Sequence, residues 1–117
     1  METIQKILHE LGYESVEDFE EGTVEVIEGG VAFMDLTIRK ISDNVILVAH
    51  YDVRGGKRIP DPVVKFRISD DGEWVPYEYH DHYIDRFEPN GEVDVGDFIK
   101  QWNKNLDDQG FIDRARE

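Results

Sequence analysis

The triplet His80-Asp81-His82 is the pattern in this chain that comes nearest to chemistry. On a strand, side chains two positions apart project to one face, so His80 and His82 can present two imidazoles to a single metal ion. His50, on another expected strand, is the candidate third ligand, with Asp52 or Asp85 as a fourth. A zinc site needs three or four ligands at defined geometry, and the spacing places only two. The expectation is therefore no structural zinc and no cofactor, with His80 and His82 as polar residues at a strand end.

Arg54, Gly55, Gly56, Lys57 and Arg58 form a second candidate. Backbone N–H groups around paired glycines, with cations beside them, can cradle a phosphate. The run lacks the Walker spacing and no helix follows it, so a solvated loop is expected. Carboxylates are so numerous that Glu78 with Asp81 or Asp85 is only one of many conceivable proton-transfer pairs. Ser15, Ser42 and Ser69 fall at turns or caps, without the strained elbow of a nucleophile. Trp74, Tyr77, Tyr79 and Trp102 could stack nucleobases, but their neighbours are acidic and core packing is expected instead. No catalytic constellation emerges, and enzymatic activity is not expected.

Charge is the strongest remaining signal. The 117 residues carry a formal charge of −14. Residues 1–30 hold nine acids and one base, residues 31–68 four acids and seven bases, and residues 69–117 fourteen acids and five bases. Two acidic flanks thus enclose a mildly basic centre. Such a field disfavours direct nucleic-acid or anionic-membrane binding by the whole surface and favours a basic protein surface as partner. The densest cluster expected at the surface is Glu14, Glu17, Asp18, Glu20 and Glu21. There is no cysteine, hence no disulfide and no thiolate metal site. No apolar run approaches the length of a membrane span, and the amphipathic N-terminal stretch is too polar for a signal peptide. A cytoplasmic location is expected.

The elements that must position these residues follow from periodicity. Ile4, Ile7, Leu8 and Leu11 make one helical stripe over residues 3–11, closed by Gly12. Ser15 and Asp18 suggest a capping box on a short turn with Val16 and Phe19 as anchors, ending at Gly22. Alternation then predicts strands at 23–28 (Val24 and Val26 on one face), 33–41, 45–53, 63–68 and 74–79, with 83–87 as a further candidate. Val64, Phe66 and Ile68 should face inward, Lys65 and Arg67 outward. Residues 52–62, DVRGGKRIPDP, read as the longest loop. Pro89-Asn90-Gly91 closes this region. A final helix is expected over 95–109, N-capped by Asp94 and ended by Gly110, with Val95, Phe98, Ile99, Trp102 and Leu106 on one face and Phe111 folding back. The fold class is α+β: a single domain with an antiparallel sheet of about five strands packed with an N-terminal and a C-terminal helix.

His50-Tyr51, Gly56, Asp61-Pro62, Phe66, Trp74 and Pro76, followed by Trp102, Asn105-Leu106 and Gln109-Gly110-Phe111, carry a resemblance. Over residues 45–111 the chain resembles an uncharacterised domain family of bacterial and archaeal plasmids, phages and integrated elements. Residues 79–88 depart from that family's glycine-containing pattern. The resemblance implies a genomic setting rather than a reaction.

Together these readings point to a non-enzymatic, acidic protein-interaction module, an accessory protein of a mobile element. One alternative is a nucleic-acid mimic that inhibits a host defence system, which needs carboxylates spaced like phosphates on one continuous face. Another is a small metal protein or enzyme built on His50, His80 and His82. Strand order, oligomeric state and the partner's identity do not follow from the pattern.

Overall fold

The apolar stripe of the first segment folds as α1, Glu2–Glu10, with Ile4, Ile7 and Leu8 fully or almost fully buried. A computed structural model describes residues 1–30, 33–81, 84–89 and 91–116, apart from the side chains at 53, 54 and 60. After α1 the chain turns through a 3-10 segment, Val16–Asp18, in which Asp18 Oδ2 accepts from the Ser15 N–H at 3.2 Å. This is the expected capping box, and it drives Phe19 into the core at 0% exposure.

Six strands follow, each antiparallel to its neighbour and in chain order: β1 (Val24–Ile27), β2 (Leu36–Ser42), β3 (Val45–Arg54), β4 (Lys57–Ile68), β5 (Trp74–His80) and β6 (Asp85–Phe87). The expected sheet of about five strands is thus six, because the short run at Asp85–Phe87 does pair, with Glu78, Tyr79 and His80. The larger correction concerns residues 52–62, expected as a loop. β3 and β4 continue through them to a two-residue turn at Gly55 (φ 57°) and Gly56 (φ 79°), with Arg54 opposite Lys57. Positive φ at both central residues matches the right-handed twist of a hairpin, and only glycine adopts it at little cost. Pro60 and Pro62 are tolerated because β5 pairs with β4 only from Val63 onward, and Pro62 lies where the β3–β4 register shifts.

One face of the sheet carries the core. Leu36, Ile38, Ile46, Val48, Val64 and Phe66 are completely buried there. They pack with α1, with α2 (Gly96–Asp108) and with the short α3 (Phe111–Arg114). Val95, not Asp94, is the N-cap of α2, and no side chain caps it. Trp102 and Leu106 face the sheet, whereas Phe98 at the same stripe stays 36% exposed. The helix breaks at Gly110, and Phe111 folds back to full burial as the sequence suggests. α1 is fastened to α2 by Thr3, whose N–H donates to Asn103 Oδ1 and whose hydroxyl donates to the Asn103 carbonyl, both at 2.8 Å.

The other face has no helix upon it among the described residues. Its centre is a small apolar group of Leu47, Ala49 and Val63, flanked by Ile41 and Tyr51. Val24 and Val26 do share a face of β1, but it is this open one, at 47% and 55% exposure; Ile27 is the residue that enters the core.

Candidate binding cleft

α1 ends above the sheet, and the chain then runs along one end of it. Tyr13 donates its hydroxyl to Glu25 Oε1 at 2.7 Å and packs its ring 5.0 Å from Phe19. That bond raises the Tyr13 pKa above its ordinary 10.0 and anchors the turn to β1. Lys40, only 3% exposed, reaches from β2 to donate to the Val16 carbonyl at 2.8 Å. Burial lowers its pKa from the usual 10.5, so it acts as a strut inside the fold rather than as a surface cation. These ties fix Glu14 and Glu17 as one wall of a cleft.

The opposite wall comes from two hairpin turns. In a meander, alternate turns lie at the same end of the sheet, so the β2–β3 and β4–β5 turns are neighbours. The Ile68 N–H donates to the Asn44 carbonyl at 2.7 Å and joins them. Ser69 organises the second turn: its hydroxyl donates to Asp71 and accepts from the Glu73 N–H at 3.0 Å. Between the walls lies a cleft of about 620 Å³, floored by Leu8, Tyr13, Val16, Ile68 and Trp74. Its carboxylates are Glu14, Glu17, Asp43 and Asp70, and no Lys, Arg or His is among the described residues that line it. A volume of this order suits a peptide side chain or a small molecule. The chemistry on offer is Coulombic attraction for a cation above an apolar and aromatic floor.

The cleft takes up Glu14 and Glu17 from the expected acidic cluster. Asp18, Glu20 and Glu21 are exposed but lie outside it. Asp43 and Asp70 were missed because each sits in an ordinary turn sequence. Only the meander order, which puts their turns at one end, would have joined them.

The other candidates are dispersed. Gly55, Gly56, Lys57 and Arg58 form an exposed hairpin tip, where Arg58 lies 4.2 Å over the Tyr51 ring. The Arg54 side chain lies outside the described ones. His50 and His80 are on opposite faces of the sheet: His50 is 7% exposed on the core side, while His80 pairs with Val63 of the open face. His82 lies outside the described residues. Among those described, no group of three His, Asp or Glu side chains could hold a metal ion. His80 instead bonds Asp85 through Nδ1 at 2.7 Å and faces Glu78 from Nε2 at 3.4 Å.

His50 has a structural place. Its Nδ1 lies 3.1 Å from the Asp35 carbonyl, and its ring packs 5.8 Å from both Trp102 and Phe111. Burial pushes its pKa below the ordinary 6.5. The unfolded chain therefore takes up a proton near 6.5 that the folded chain refuses until lower pH, so acidification through that window favours unfolding. Measured by urea midpoints from about pH 7 to about pH 5, the wild type should lose stability relative to His50→Phe. Parallel curves for the two proteins would show that His50 is not the group responsible.

Helices on one face of a six-stranded antiparallel meander, with an acid-rimmed cleft at one end, define an α+β protein. The chain belongs to a family described as a domain of unknown function (DUF6908), whose model matches residues 2–112. That match extends beyond residues 45–111 to take in α1, β1 and β2. A search of the curated proteins finds no match, and neither does a search of the solved structures. Among the described residues no helix is long and apolar enough to cross a membrane.

Proposed function

We propose that this protein is a non-enzymatic interaction module that receives a basic segment of a partner protein in the acid-rimmed cleft. Four carboxylates above an apolar floor, with no Lys, Arg or His among the described residues that line the cleft, carry this reading; the buried Lys40 interacts with Glu17 and Asp43 from within the fold. A lysine or arginine suits such a site because its stem can lie on Ile68 and Trp74 while its head meets Glu14, Glu17, Asp43 or Asp70. The net charge of −14 steers such a partner toward the protein and speeds encounter at low salt. The nucleic-acid mimic would need carboxylates ranged along a continuous face, whereas these four ring a hollow. The setting we propose, a cytoplasmic accessory protein of a mobile element, rests on the family resemblance and on the absence of cysteine.

A peptide of alternating lysine and leucine is a direct probe. It should bind the wild type at low salt, and the combined change Glu14→Gln, Glu17→Gln and Asp43→Asn should weaken binding by about tenfold or more. A urea midpoint accompanies the binding measurement, because the variant relieves like-charge repulsion but also removes the Glu17 and Asp43 charges that favour the buried Lys40 ammonium. Equal affinity for both proteins, measured by calorimetry across a salt series, would remove the cleft as the binding site.

A further inference from the structure

The basic centre of the sequence has a definite location in the fold. Register and alternation put Arg39, Arg58, Lys65 and Arg67 on the open face of the sheet: Arg39 stands opposite Leu47, and Leu47 opposite Lys65. Among the described residues, Lys65 alone of these four is matched by a carboxylate, Glu78 at 2.6 Å. Arg58 lies over Tyr51 and Arg67 lies 4.5 Å over Tyr77, where it also donates to the Pro89 carbonyl at 2.9 Å. Arg39 is exposed. Among the described residues, none of these three guanidinium groups forms an ion pair with a carboxylate, in a chain that has 27 acids to supply one.

We propose that this open face is a second docking surface, and that its occupant is an acidic, partly apolar segment of another protein. Leu47, Ala49 and Val63 are 8%, 0% and 5% exposed beneath flanking side chains such as Ile41 and Tyr51, so the apolar surface on offer is that of exposed Val24, Val26 and Phe87 toward the two edges. Arginine and tyrosine are residue types in which binding energy concentrates. The unpaired guanidinium groups select a partner of negative sign, with planar forks that suit carboxylates. A second copy laid face to face would set these cations against one another, which disfavours it. A long nucleic acid would extend past the patch into the field of a protein with charge −14, whereas a short segment meets only the local cations. The surface shares no residue with those that line the acidic cleft, so it stands or falls independently of that reading.

The test is an NMR titration of the ¹⁵N-labelled protein with a peptide of alternating glutamate and valine, and in parallel with an oligothymidylate of the same length. The expected result is peptide-induced shifts confined to the outward positions of β2, β3 and β4. Arg39→Glu with Arg67→Glu should weaken binding by about tenfold or more, and Arg39→Lys with Arg67→Lys should retain most of it. Arg39→Gln with Arg67→Gln gives the same reading if charge reversal disturbs the fold. Absence of peptide shifts, shifts at the cleft instead, or binding indifferent to these substitutions would overturn the proposal. So would a preference for the oligonucleotide.

Discussion

Replacing Trp102 with alanine is expected to lower stability by about 3–5 kcal/mol, the cost of removing a large buried aromatic and leaving its cavity. Trp102 is 5% exposed and is the hub between helix and sheet, its ring 5.8 Å from His50 and 5.7 Å from Phe98. Its indole N–H is buried without a protein acceptor among the described residues. Trp102→Phe should therefore be much milder than Trp102→Ala, since it retains ring packing and gives up no protein hydrogen bond. Urea denaturation of the two variants decides this. An alanine variant with the wild-type midpoint would mean that α2 is peripheral to the fold.

Gly29→Ala is expected to destabilise by about 1–3 kcal/mol, as for other forced overpacking. A β-carbon there would collide with the Phe33 carbonyl oxygen and lie 2.7 Å from that of Met34, both of them backbone atoms that cannot swing aside. The Gly29 N–H donates to Asp35 Oδ1 at 3.0 Å, and the Asp35 carbonyl in turn meets His50. The strain is thus delivered to the core beside Trp102. Gly96→Ala is the control: nothing lies within 4 Å of its β-carbon, and a neutral or slightly stabilising result is expected at the start of α2. Equal unfolding midpoints for the two alanine variants would show that the 29–35 loop yields freely.

Much of this architecture was legible because its periods are clean. The stripe at Ile4, Ile7 and Leu8 and the alternation at Val64 and Phe66 leave little choice about which side faces in. Residues 52–62 were not legible, because two prolines and two glycines look like a loop wherever pairing is unknown. The glycine pair between alternating runs was itself a hairpin signal, obscured by the charged and proline-rich residues around it. Val24 and Val26 do share one face, as their spacing says, but spacing alone does not say which face that is. An apolar pair on an edge strand satisfies the period equally well when it faces solvent. For the cleft, Glu14 and Glu17 were visible as a charged cluster, but Asp43 and Asp70 belong to turns that only the strand order brings together.

That order also bears on how the chain reaches its native state. Every strand pairs with its sequence neighbour, so the sheet can zip hairpin by hairpin, starting from the tight turn at Gly55-Gly56 on a scale of about 1–10 μs for a single hairpin. The bonds between Thr3 and Asn103 join residues 100 positions apart, and so must close a loop spanning nearly the whole chain. The entropy of that closure falls due last, once the strands have already drawn the two ends together. In the folding transition state, substitutions in the β3–β4 hairpin should register strongly, and those where α1 meets α2 weakly.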